Sequence, residues 1–94
     1  MPNDKTETDR RTYYVYLLLC NDGSYYTGYT INVTLRFEEH KKGRGARYTM
    51  MHRPDRIAYV EKFRTRGAAI RRERQIKSLS HREKHALVSR GLTE

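Results

Sequence analysis

The spacing of apolar and polar positions changes along the chain, and each change predicts an element. From about Tyr13 to Cys20 the sequence Tyr-Tyr-Val-Tyr-Leu-Leu-Leu-Cys is almost continuously apolar, the pattern of a strand buried on both faces. An Asn-Asp-Gly-Ser stretch breaks it, and a second aromatic run from about Tyr25 to Thr30 follows, so the pair predicts a β-hairpin. The period then lengthens. Val33, Phe37 and His40 recur at spacings of four and three, which predicts a short helix capped by Asn32 and stopped by Gly43. Lys41 to Arg53 has neither period and predicts a basic loop. Ile57, Tyr59 and Glu61 alternate with Ala58, Val60 and Lys62, predicting a third strand over Arg56–Phe63. Thr65 caps a second helix over about Arg66–Leu79. Ser80-His81-Arg82-Glu83 has the form of a capping box for a third, with Leu87 and Val88 turned inward and Gly91 closing it.

The predicted order is strand, strand, helix, strand, helix, helix. A three-stranded antiparallel or mixed sheet needs cover on its apolar face, and the helices must supply it. The fold class is therefore α+β, a small two-layer domain over residues 13–91. Residues 1–12 are polar and carry both charge signs, which predicts a disordered tail and not a signal peptide, and a cytoplasmic protein. No apolar run approaches a membrane span, so no membrane partner is expected. Cys20 stands alone in a strand and reads as a small core residue.

Charge changes the picture. The formal net charge of the 94 residues is +9, and Lys5, Arg10 and Arg11 offset Asp4, Glu7 and Asp9 in the tail, so the excess sits on the folded part. A folded domain this basic favours a polyanionic partner, and nucleic acid is the commonest. Lys41, Lys42, Arg44 and Arg47 follow directly on the first helix and could grip a phosphate backbone without reading its sequence.

The hairpin also spaces its tyrosines distinctively: Tyr16 closes a Tyr-Val-Tyr triplet, and Tyr26 opens a Tyr-Thr-Gly triplet ten residues later. Arg36 lies ten residues beyond Tyr26, and His40 four beyond that on the same helix face. On the second helix Glu73 falls in the inward stripe, four after Ala69 and three before Ile76. A carboxylate there is costly unless something pairs with it. Lys77, four residues on, is the bland partner; a bound divalent cation is the sharper one.

This ordered set of Tyr16, Tyr26, Gly28, Arg36, His40 and Glu73 resembles the signature of the GIY-YIG nucleases, and in its compactness most resembles the small stand-alone YhbQ-type members. Tyr14 stands where the family most often has Gly. Where many members carry an Asn on a later helix, this chain has Lys84 and His85. The resemblance implies one Mg²⁺ or Mn²⁺ held by Glu73 and a hydrolytic site acting on the phosphodiester bonds of nucleic acid, DNA more than RNA. It implies roles too: Arg36 clamping phosphate oxygens, Tyr26 orienting or deprotonating the attacking water, and Tyr16 and His40 bonded to the water network or the phosphate. Lys77 joins the loop cations as a candidate nucleic-acid contact. The alternative is a nucleic-acid-binding module that keeps the fold but cleaves little.

A shared site also constrains the hairpin. Faces alternate along a strand, so a two-residue Asp22-Gly23 turn would set Tyr16 and Tyr26 on opposite faces. An odd-length connection is expected instead, most simply Asp22-Gly23-Ser24, with Tyr16 opposite Thr30 and on the face of Tyr26.

Overall fold

The computed structural model describes residues 11–92, so residues 1–10 of the expected tail lie outside it. The elements run β1 (Tyr13–Cys20), β2 (Tyr25–Thr30), α1 (Val33–Lys41), α2 (Arg47–Met51), β3 (Pro54–Phe63), α3 (Arg66–Lys77) and α4 (His81–Leu92). The strands form one antiparallel sheet in the order β2-β1-β3. This is an α+β domain, and its helices divide between the two faces of the sheet. Among the described residues no helix is long and apolar enough to cross a membrane.

Local chemistry sets most boundaries. Asn32 Oδ1 accepts from the Leu35 amide at 3.0 Å and Thr65 Oγ1 from that of Ala68 at 3.1 Å, each satisfying an otherwise orphaned donor. At the start of α4, Ser80 Oγ accepts from the Glu83 amide while Glu83 Oε1 accepts from that of Ser80, a reciprocal capping box. Gly43, at φ +77°, ends the segment after α1 in the left-handed region that glycine enters freely.

Several element boundaries differ from expectation. The basic stretch is not all loop, because Arg47–Met51 forms α2. The third strand begins at Pro54 and has a register shift between Leu17 and Leu18, where Tyr59 and then Ile57 are the partners. The shift leaves Ala58 unpaired and ends the simple alternation of Ile57 with Tyr59. Gly91 does not close the last helix, which runs on to Leu92. A Cβ at Gly91 would come within 2.8 Å of the Tyr59 ring, so glycine serves close approach of α4 to β3.

The central strand is buried on both faces: Val15, Tyr16, Leu17 and Leu18 are each at most 1% exposed. Val15 and Leu17 face a cluster completed by Tyr25, by Ala69 and Ile76 of α3, and by Leu87 and Val88 of α4. Each large aliphatic side chain buried there contributes about 1.5–3 kcal/mol. At its margin Arg72 of α3 donates to both carboxylate oxygens of Glu61, at 3.0 and 2.9 Å. Tyr16 and Leu18 point to the other face, under α1.

The hairpin connection is odd-length, but it is Asn21-Asp22-Gly23. Cys20 and Ser24 flank it, with the Cys20 amide donating to Ser24 O at 2.8 Å and the Gly23 amide to Cys20 O at 2.9 Å. Gly23 sits at φ +87°, the left-handed third position of a three-residue loop. Tyr16 therefore opposes Gly28, not Thr30, while Leu18 opposes Tyr26. The two-residue slip preserves the parity, and Tyr16 and Tyr26 share a face.

Candidate functional site

Tyr16, Tyr26 and His40 meet on the α1 side of the sheet. Their rings lie 6.3 Å apart for the tyrosine pair, 6.0 Å for Tyr16 and His40, and 4.9 Å for Tyr26 and His40. Two glycines make room for them. A Cβ on Gly28 would stand 2.6 Å from the Tyr16 oxygen, so the last residue of the second triplet lets the phenol lie across β2. A Cβ on Gly45 would stand 2.1 Å from His40 Nδ1, so only glycine lets the loop after α1 fold over the imidazole.

A hydrogen-bonded chain runs through the buried part. The Thr49 hydroxyl, 1% exposed on α2, donates to Ala46 O at 2.9 Å. His40 Nδ1 lies 2.7 Å from Thr49 Oγ1 and also receives the Ala46 amide at 3.4 Å, while Nε2 lies 2.9 Å from the Tyr16 hydroxyl, so the imidazole is bonded through both ring nitrogens. Burial pushes the His40 imidazolium down to about 4, with the positive charge of Arg36 acting in the same direction and Glu39 against it. His40 is thus neutral at pH 7. Burial also raises the Tyr16 phenol well above its ordinary value, Tyr26 adding to the rise and the Arg36 guanidinium opposing it. Tyr16 is accordingly a neutral phenol held by His40, with the Arg36 guanidinium close enough to act on it. Tyr26 is half-buried, and among the described residues its hydroxyl makes no hydrogen bond.

Arg36, on α1, and Glu73, on α3, both act on the Tyr16 phenol through their charge. Arg36 Nη1 donates to Glu39 Oε1 at 2.8 Å, a surface pair on α1 worth about 0–1 kcal/mol and easily exchanged for another anion. Glu73, on α3, is felt electrostatically at the Tyr16 phenol, where its charge opposes ionisation. Its side chain is only 14% exposed, and Lys77 Nζ lies 3.5 Å from Oε2. The bland partner is therefore present, but at that length and with Lys77 more than half exposed it contributes only about 0.2–0.5 kcal/mol. Lys77 sits on α3 beside Glu73, on a different element from the other expected phosphate contacts. Lys41, Lys42, Arg44 and Arg47 are all exposed on the segment after His40, with Lys41 lying over the Phe37 ring at 5.2 Å.

Sequence reasoning missed Thr49, Gly45 and Tyr48. The first two complete and enclose the hydrogen-bonded chain. Tyr48 continues the aromatic cluster, its ring 6.0 Å from that of Tyr26. The interleaving of Tyr48 with Arg44, Arg47 and Arg53 is the one signal that could have singled it out.

The model of the GIY-YIG catalytic domain matches residues 12–86, and the chain belongs to this family of nucleases. Within the family it is similar to the UPF0213 proteins. That of Staphylococcus saprophyticus is 42% identical over 79 residues, covering 84% of this chain and 96% of the relative. One of Staphylococcus aureus is 40% identical over 77 residues, covering 82% and 94%. Two solution NMR structures match as well. The UPF0213 protein of Bacillus halodurans is 45% identical over 83% of each chain with a TM-score of 0.54, and a protein of E. faecalis is 38% identical over 88% of each with a TM-score of 0.60.

Proposed function

We propose that this protein is an endonuclease that hydrolyses phosphodiester bonds of nucleic acid, DNA in preference to RNA, with one divalent cation. The observation that carries the reading is the convergence of Tyr16, Tyr26, His40 and Arg36 on one sheet face, with the Glu73 charge felt at the Tyr16 phenol. Among the described residues no group of three or more His, Cys, Asp or Glu gathers, so a cation would have one protein carboxylate, the mostly buried Glu73 weakly paired with Lys77, the kind of single-carboxylate site at which Mg²⁺ keeps several waters. Glu73 would hold it, and when bound it supplies Lewis-acid polarisation of the phosphate and support for the leaving oxygen.

The chain's own residues divide the remaining work. Arg36 leaves its weak pair with Glu39 and clamps the phosphate oxygens bidentately, where negative charge grows in the transition state. Tyr26 orients the attacking water through its uncommitted hydroxyl. Water adds to phosphorus, the bond to the leaving oxygen breaks, and the proton released by water passes to that oxygen or to solvent. His40 keeps the Tyr16 phenol in place. Lys41, Lys42, Arg44 and Arg47 would grip the flanking phosphates, with no base readout.

Cleavage of branched, nicked and single-stranded DNA, titrated with Mg²⁺ and Mn²⁺, tests this reading. Metal-dependent cutting of at least one substrate is expected. Binding without cutting at every metal concentration would identify a binding module instead, the reading favoured by Lys84 and His85 where many family members carry Asn.

A further inference from the structure

Helix α2 sets an exposed aromatic ring at the rim of this site, and the hydrogen-bonded chain around His40 does not use it. Tyr48 is 37% exposed, next to the half-buried Tyr26. It stacks on His52, with 4.1 Å between ring centroids and 17° between planes. His52 Nδ1 lies 2.6 Å from Asp22 Oδ2 in the hairpin turn, and Asp22 Oδ1 accepts from the Ser24 hydroxyl at 2.7 Å and its amide at 3.1 Å. The two rings therefore form a flat pair pinned to the sheet's own turn. Met51 shares the helical face of Tyr48 three residues on and is 76% exposed. Exposed Arg44 and Arg47 precede the ring. An anchored aromatic surface left open to water among cations has the composition of a base-stacking platform.

We propose that the Tyr48–His52 pair receives an unpaired nucleobase beside the phosphate bound at Tyr26 and Arg36, so that the preferred substrate is DNA with a single-stranded segment. This rests on the nuclease reading above and names its substrate class. A base inside a duplex has both faces covered by its neighbours, and only an unstacked base can lie on a protein ring. Stacking is tolerant of base identity, which suits a surface whose other contacts are phosphate-directed. Arg44 and Arg47 would neutralise the phosphates on either side of the base.

The test is binding, measured by fluorescence anisotropy in metal-free buffer with the full chain, using a single-stranded oligonucleotide and a duplex of equal length. Tyr48→Ala is expected to weaken single-strand binding by about 5- to 100-fold and duplex binding by no more than about twofold, while Tyr48→Phe, which keeps the ring, stays near the parent. A 2-aminopurine placed in the single strand is expected to be quenched by the parent and by Tyr48→Phe but not by Tyr48→Ala. Should the alanine variant fail to fold, Tyr48→Leu carries the same expectation. Equal losses on both ligands, or no loss on the single strand, would overturn the platform and leave the cleavage reading standing. Absence of parent binding to either ligand would overturn both.

Discussion

On the sheet face that carries Val15 and Leu17, α3 and α4 bury an almost wholly apolar cluster; on the face that carries Tyr16, α1 and α2 bury hydroxyls and an imidazole. The same central strand supplies both, one residue out of step. The apolar face gains from area removed from water and has no directional demands. The polar face holds together only if every donor finds its acceptor, since an orphaned buried group costs about 1–3 kcal/mol. Period-two alternation thus lets one strand anchor the fold on one side and orient chemical groups on the other. Changes on one side need not disturb the other.

Two isosteric substitutions test that contrast most sharply. Thr49→Val removes the side-chain partner of His40 Nδ1 in a buried chain and is expected to lower stability by about 1–3 kcal/mol in denaturant unfolding. Thr27→Val sits on the apolar face, opposite Leu17, where the buried Thr27 Oγ1 has no protein partner among the described residues. It is expected to leave stability unchanged or to raise it by up to about 1 kcal/mol. Equal losses in the two variants would mean that the faces do not differ as described.

The pH dependence of unfolding is expected to report the polar face. His40 is pushed down to about 4 from 6.5, so between those values the unfolded chain binds a proton that the folded one refuses. Its contribution to stability is full above about pH 6.5 and is lost as pH falls towards 4. Asp22, held low by Ser24 and His52, and Glu61, held low by Arg72 against its own burial, lose their contributions only below 3.8 and 4.5. His40→Gln should therefore flatten the profile chiefly between pH 4.5 and 6.5 relative to the parent. A profile as steep as the parent's would remove His40 as the source.

The surface beyond the polar face should respond without any change in stability. Replacing Lys41 and Lys42 with Ala is expected to weaken DNA binding about equally for all sequences and to reduce the salt slope by roughly 1–2. An unchanged slope would take this segment out of the interface.

What the sequence disclosed follows the same division between local and distant causes. Asn32, Thr65 and the Ser80–Glu83 box act within a few residues of themselves, and each cap was readable from spacing alone. Hairpin parity was readable because the face of every tyrosine depends on it. The register was two residues out because Gly23 takes the third loop position and not the second. Helix α2 was invisible: five residues are too few to show a period, and it is tied down from afar by Thr49 on His40 and Tyr48 on His52. Gly91 read as a stop because its packing partner, Tyr59, lies on another element. The juxtaposition of Tyr16, Tyr26 and His40 was legible only through the spacing that resembles a known family. Gly45 and Thr49 entered no motif, since their importance comes from what His40 meets across the fold.

Glu73, a carboxylate 14% exposed on the helix that also builds the apolar core, is the residue on which a one-metal site depends. Cleavage and DNA affinity of Glu73→Gln, measured beside the parent under Mn²⁺ titration, test it directly. The substitution keeps the shape and removes the charge, so the expected result is loss of metal-dependent cleavage with DNA binding and thermal midpoint retained. A Glu73→Gln protein that cleaves as well as the parent would reduce Glu73 to the partner of Lys77 and contradict the one-metal site.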